Sequence, residues 1–318
     1  MTARSEAGPS AYHLPVMCRE VVEVLAPVPE GVVVDATIGG GGHAAALLAH
    51  APHLRLVGLD RDPDALRAAT QHLADHRDRV ELRHARFDAL GDVLDATGKS
   101  EISGCLFDLG VSSAQLDRPE RGFSYRLDGP LDMRMDPTTD VTAADIVNHA
   151  DARTLASILR LNADERYSGR IAAAIVAGRP FATTAQLARA VAGAVPAAAR
   201  RRVHPARRTF QALRIEVNQE LEILEDALTT AVERLAGSGR CVVISYHSGE
   251  DRIVKSVFRR SAGETPPPRP GLPPAPGQVA TVRLLGRRAR TPTESEKAAN
   301  HKARAARLRA VERIRRDA

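Results

Sequence analysis

The first 110 residues alternate between short apolar runs and longer amphipathic stretches. Segments 32–35, 55–60, 79–83 and 102–109 are dominated by β-formers and bounded by turn residues, which predicts four strands. Between them, 43–51 and 62–76 have helical composition, and Asp62-Pro63 reads as an N-cap followed by proline at the first helical position. Strands alternating with helices in this way give βαβ units and a parallel sheet. Ligands of such sheets bind beyond the carboxyl ends of the strands.

After Gly110 the strand rhythm stops for about 100 residues. Segment 112–137, rich in Gly, Pro and Asp, predicts an ordered loop. Helical patterns follow over 141–149, 151–161, 165–177 and 184–195, the last opened by capping-box spacing between Thr183 and Gln186. Beyond Pro205 no Gly or Pro interrupts the chain to Ala236, and Phe210, Leu213, Val217, Leu221, Leu224, Leu228, Val232 and Leu235 recur at helical steps. One amphipathic helix of about 30 residues, roughly 45 Å long, is expected there, running from the helical region back onto the sheet. Segment 240–245 predicts a fifth parallel strand, 250–260 a helix and 278–285 a terminal strand, while the end of the chain reads as helix. Segment 265–277 holds seven prolines in thirteen residues, a stiff surface connector. The expected fold class is α/β, a doubly wound sheet domain built from 1–116 and 216–318, with a helical insert over 117–215.

With 43% hydrophobic and 26% charged residues, wholesale disorder is excluded. No apolar run approaches the roughly 18 to 20 residues of a membrane span, and the N-terminus lacks an apolar signal core, so a cytoplasmic protein is expected. Charge is uneven: residues 1–110 carry net −6 and the remainder net +12, which pairs a small-ligand part with a polyanion-facing part. Arg200, Arg201, Arg202, Arg207, Arg208 and Arg214 put six cations and no acid in fifteen residues. Phosphate contact is the functional reading, a solvated insert face the plain one. Aromatic residues make up only 3%, too few for stacking along an extended single strand. Cys105 and Cys241 lie in strand-like runs as structural thiols, Cys18 stands alone, and no C-x-x-C occurs. His72 and His76 are four apart but lack the glutamate of a zincin, so no metal site is expected.

The candidate chemistry sits at the strand ends. Glycines 39–42 follow the first strand, where they let a ligand approach the backbone and meet amides at a helix start. Gly39-x-Gly41-x-x-Ala44 also satisfies the dinucleotide fingerprint, so this loop alone does not choose between NAD and S-adenosylmethionine. Asp60 ends the second strand, where an acid holds ribose hydroxyls. Asp35 gives the D-x-x-x-G-x-G pattern of class I methyltransferases, with a carboxylate that would meet the amino-acid part of S-adenosylmethionine and repel a pyrophosphate. Asp108 closes an otherwise apolar strand, and a carboxylate placed there needs a reaction or a salt bridge to justify its desolvation.

Further motifs accompany these: His13-Leu14-Pro15-Val16-Met17, Asp35-Ala36-Thr37, Gly41-Gly42-His43, Asp60-Arg61-Asp62-Pro63, Asp108-Leu109-Gly110-Val111-Ser112-Ser113 with Gln115-Leu116-Asp117, and Arg121-Gly122-Phe123-Ser124. Later come the run from Asp128-Gly129-Pro130 to Asp136, His204-Pro205-Ala206, Thr209-Phe210-Gln211-Ala212-Leu213-Arg214-Ile215 with Val217-Asn218, and Ser245-Tyr246-His247-Ser248 with Glu250-Asp251-Arg252. Together they resemble the RsmH (MraW) family, bacterial 16S rRNA (cytosine-N(4))-methyltransferases, over about residues 13–260. The resemblance implies a Rossmann-like class I methyltransferase sheet with an inserted all-helical domain. It further implies S-adenosylmethionine as cofactor, the N(4) amine of the P-site cytidine as acceptor, and 16S rRNA within the small ribosomal subunit as partner. Carried over by motif, the cofactor positions are Gly41, Gly42, His43, Asp60, Phe87, Asp108 and Gln115. Gly249 departs from the family's leucine at that place. Asp108 is the candidate catalytic acceptor facing the amine, with a nearby backbone carbonyl as the alternative; the D/N-P-P-Y motif of many amino-methyltransferases is absent, and Asp108-Leu109-Gly110-Val111 stands in its place. Phe123, Tyr125, Tyr246 and His247 are candidates to stack on or hydrogen-bond the base. Two alternatives are weighed beside this one: an NAD-dependent dehydrogenase, and a non-catalytic ribosome-assembly protein that binds RNA on a methyltransferase fold. The oligomeric state is left open, a homodimer included.

Overall fold

A computed structural model describes residues 15–197, 204–264 and 279–315. The expectations for His13-Leu14, for Arg200 to Arg202 and for the connector 265–277 lie outside the described residues.

Seven strands form one sheet: β1 (Gly31–Asp35), β2 (Leu54–Asp60), β3 (Val80–His84), β4 (Ile102–Asp108), β5 (Leu235–Ser245), β6 (Val282–Leu284) and β7 (Arg307–Arg313). Their spatial order is β3-β2-β1-β4-β5-β7-β6. The first five are parallel, and β7 runs antiparallel between β5 and β6. Helices α1 (Cys18–Leu25), α2 (Gly42–His50), α3 (Pro63–His72) and α4 (Leu90–Ala96) accompany the first strands. Strands buried on both faces read as unbroken apolar runs, and in β4 every residue before Asp108 is buried. Val34, Phe107 and Val243 point to one core, Val33, Leu106 and Val242 to the other. The α/β fold class is as expected.

Between β4 and β5 the chain forms α5 (Ser113–Asp117), α6 (Ala143–His149), α7 (Ala152–Ala163), α8 (Ser168–Ala177), α9 (Thr184–Ala194), α10 (Ala206–Asn218) and α11 (Leu224–Glu233). The Thr183/Gln186 capping box is present, and a second one, Ser112/Gln115, starts α5 inside the expected loop. Leu155, Ile171, Leu187, Phe210 and Leu213 share a core separate from those of the sheet. After β5 come α12 (Ser248–Ser261) and α13 (Glu294–Ala299).

Two expectations are corrected. The single long helix is two, α10 and α11, because Gln219 takes a left-handed conformation at φ 52°. Polar ties hold that break. Asn218 bonds the main chain at Met133 and Met135, its own carbonyl accepts from Arg61, and Arg214 makes a forked bond to Glu220, 2.8 Å on each arm. The apolar period continues across the break because the halves serve different cores, Phe210 and Leu213 the insert, Leu224, Leu228 and Val232 the sheet. The chain end is the other correction: it forms strand β7, not helix. Its Arg, Ala, Leu and Glu residues favour helix, but pairing with β5 and β6 along both edges outweighs that preference.

Candidate active site

Beyond the carboxyl ends of β1, β2 and β4 lies a cleft of about 650 Å³. In the strand order β1 separates β2 from β4, so the cleft sits at the topological switch point, where doubly wound sheets bind ligands.

The loop from β1 to α2 is pinned before any ligand arrives. The Ile38 amide donates to the Leu59 carbonyl, the Gly39 amide to Asp60 Oδ2 at 2.9 Å, and the Asp108 amide to Thr37 Oγ1 at 2.7 Å. Gly39, Gly40, Gly42 and His43 line the cleft, whereas Gly41 does not. Gly41 is required for another reason: its φ is +80°, and a Cβ there would come within 3.1 Å of the Leu73 side chain. Thr37, Gly39 and Gly40 are lining positions the motif transfer missed, although the glycine run itself signals two of them.

Asp60 lines the cleft with both carboxylate oxygens engaged, Oδ1 accepting from the Asp62 amide and Oδ2 from Gly39. Burial pushes its carboxyl up from the usual range, against the downward pull of those two amides. Asp62 caps α3 as expected, and its Oδ2 also accepts from Gln115 Nε2 and Arg121 Nη1, both at 2.9 Å. Gln115 therefore lines the cleft with its amide already committed, Oε1 to the Ser112 amide and Nε2 to Asp62. Phe87 presents a ring to the cleft, edge-on to Phe107 at 5.9 Å between centroids, with the Arg61 guanidinium 5.6 Å from its own centroid.

Asp108 stands on the rim at the end of β4, its side chain 25% exposed. Tyr246 Oη donates to Asp108 Oδ1 at 2.8 Å, and His43 Nε2 lies 3.4 Å from Oδ2. Among the described residues neither ring nitrogen of His43 has a well-aligned hydrogen bond. Burial alone would push the imidazole down, but the contacts with Asp108 and Cys18 and the charges of Asp108 and Asp35 lift it to about 10. Burial raises Asp35 to about 7, opposed by His43 and the Thr37 amide. Asp35 is only 2% exposed and is not among the residues that line the cleft; the charge it acts on there is that of His43.

Tyr246 owes its position to the start of α12. His247 is the N-cap, and Glu250 accepts from the Tyr246 amide at 2.7 Å and the His247 amide at 3.2 Å, which fixes the backbone that carries the phenol. Burial and the Asp108 charge push the phenol well above 10, so it remains a donor. Of the four candidates for base contact, only Tyr246 lines the cleft. Phe123 is buried in the insert core, Tyr125 stacks on His204 at 4.6 Å, and His247 lies 3.1 Å from Glu250. Arg214, expected on phosphate, is instead bound to Glu220; Arg207 and Arg208 are exposed.

The sequence profile of the MraW methylase family matches residues 10–314. A protein of Thermobifida fusca (strain YX), named ribosomal RNA small subunit methyltransferase H, is 54% identical over 97% of this chain and 95% of its own. Proteins of the same name from Saccharopolyspora erythraea and Streptomyces avermitilis are 51% and 50% identical, over 98% and 96% of this chain and 97% and 98% of theirs. Similarity at this level over almost the whole length makes the chain a member of the MraW methylase family, an enzyme that transfers methyl groups from S-adenosylmethionine.

Proposed function

We propose that the enzyme methylates the exocyclic N(4) amine of the P-site cytidine of 16S rRNA in the small ribosomal subunit. The name shared by its relatives supports the substrate class. One observation carries the chemistry: a carboxylate on the cleft rim, Asp108, is held from one side by the Tyr246 hydroxyl and from the other by His43.

The cleft suits the cofactor. Asp60 at the end of β2 offers acceptors to ribose hydroxyls, Phe87 an apolar ring to adenine, and the 39–42 loop its close backbone approach. Gly42, His43, Asp60, Phe87 and Asp108 would contact it, with Gly41 holding the loop against α3 and Gln115 holding Asp62 at the cleft wall. Bound there, S-adenosylmethionine supplies an electrophilic methyl group on a sulfonium. Such a displacement depends on alignment more than on strong acid–base chemistry. A cytosine amine is a poor nucleophile because its lone pair is delocalised into the ring. Asp108 accepts a hydrogen bond from one N–H, favours the localised lone pair, stabilises the positive charge that develops on the nitrogen, and takes the proton that the methylated nitrogen must release. The base must be single-stranded or flipped to reach this rim. The helical segment 117–215 is proposed as the RNA-recognition insert, with Arg207 and Arg208 exposed on it.

The test uses purified enzyme, S-adenosylmethionine and small subunits lacking the modification, with naked 16S rRNA in parallel, read by nucleoside mass spectrometry. N(4)-methylcytidine from the subunits is expected. No methylated nucleoside in either sample, despite measured cofactor binding, would reject the proposal in favour of the assembly-protein alternative.

A further inference from the structure

A second basic surface lies outside the cleft and outside the helical insert. Lys255 and Arg259 stand one turn apart on α12, Arg287 and Arg288 follow β6, and Arg307 and Arg309 share one face of β7. They line a shallow depression of about 330 Å³ in which, among the described residues, no acidic and no aromatic side chain takes part. Asp251, at its edge, binds Arg309 at 2.7 Å and Arg307 at 3.1 Å, and Glu264 lies 3.5 Å from Arg259. Among the described residues Lys255, Arg287 and Arg288 have no acidic partner, and all three are exposed. We propose that this surface docks the phosphate backbone of the rRNA substrate, a second contact beside the insert; the assignment rests on the proposed rRNA reading.

The arrangement argues for a polyanion. Six cations gathered from three separate segments against two carboxylates repel one another, and a chain of phosphates relieves that cost where a solvated surface would simply spread the charges. Asp251 is 7% exposed and holds Arg307 and Arg309 rigidly, so two of the cations are ordered in advance. With no aromatic side chain in the lining among the described residues, bases have nothing there to stack on, and recognition falls to phosphates and shape. Placement agrees with this. Antiparallel pairing sets Arg307 opposite Ser245, the residue before Tyr246, whose hydroxyl binds Asp108. The start of the basic face thus shares the catalytic end of the sheet, one strand outward from the cleft, where phosphates flanking a delivered base can pass.

The variant Lys255→Ala/Arg287→Ala/Arg288→Ala removes three cations that have no ion pair to lose. Its KM for small subunits at ~0.1 M salt should rise about tenfold or more, and the slope of log affinity against log salt should flatten by about 2 to 3. The Kd for S-adenosylmethionine should equal that of wild type, and Lys255→Arg/Arg287→Lys/Arg288→Lys should retain wild-type KM. Unchanged KM and salt slope in the alanine variant would overturn the surface while leaving the methylation reading intact. Subunit binding is followed separately by sedimentation, so the surface is tested even if wild-type enzyme turns over no cytidine.

Discussion

Replacing Tyr246 by phenylalanine removes one hydroxyl and almost no volume, which makes it a clean probe of how Asp108 is held. That hydroxyl donates to Asp108 Oδ1 at 2.8 Å, and the phenol is pushed far above 10, so the donor is present throughout the working pH range. Hydrogen bonds to a charged group contribute about 1.5 to 3 kcal/mol. Asp108 is 25% exposed, so water partly replaces the lost donor and the lower end applies. A loss of about 1.5 kcal/mol in the transition state lowers kcat roughly tenfold. Cofactor affinity should change less than about twofold, because the hydroxyl faces Asp108 rather than the glycine loop. Single-turnover methylation of small subunits, with cofactor binding by calorimetry, separates the two effects. An unchanged kcat would refute the view that Tyr246 positions the acceptor. An equal loss in cofactor binding would instead make it a structural wall.

Three other perturbations probe different parts of the account. Asp60→Asn keeps one acceptor oxygen and leaves the Gly39 or the Asp62 amide facing an NH2 group, so it should weaken S-adenosylmethionine binding by about ten- to a hundredfold and also cost about 1 to 3 kcal/mol of stability, checked by calorimetry and urea unfolding. Arg214→Ala leaves Glu220 buried without its forked partner at the joint between α10 and α11, and should cost about 3 to 5 kcal/mol in urea unfolding. His43 ordinarily titrates near 6.5 and is raised to about 10, so the folded protein holds this proton more tightly than the unfolded chain. Its stabilising contribution is full below about 6.5 and is lost as pH rises through about 10; Tm should fall across that window in wild type and fall less in His43→Gln.

What the sequence reveals follows from where burial is uniform. Strands β1, β2 and β4 are legible because parallel strands covered on both faces leave continuous apolar runs, and strand-end logic then places Asp60 and Asp108 on the cleft. Asp62-Pro63 and Thr183/Gln186 are legible as local hydrogen-bond chemistry. The break at Gln219 has no local signal, since its left-handed backbone is held by Asn218 and Arg214 contacting distant residues or a reversed turn. The β7 strand is hidden for the same reason: helix-favouring residues become a strand only where two edges await them. At the site, Asp35 and Asp108 look alike in sequence, each an acid at a strand end. Depth distinguishes them, Asp35 lying buried and Asp108 on the rim. Tyr246 is one aromatic among several until the start of α12 turns it toward Asp108.

The central claim, that a carboxylate on the rim of β4 assists methylation of a cytidine amine, is tested most directly with Asp108→Ala. Wild type and variant would be given unmodified small subunits and saturating S-adenosylmethionine, and N(4)-methylcytidine counted by nucleoside mass spectrometry over time. The account predicts a single-turnover rate lower by about a hundredfold or more in the variant, with subunit binding retained. A variant that forms N(4)-methylcytidine at the wild-type rate would contradict it.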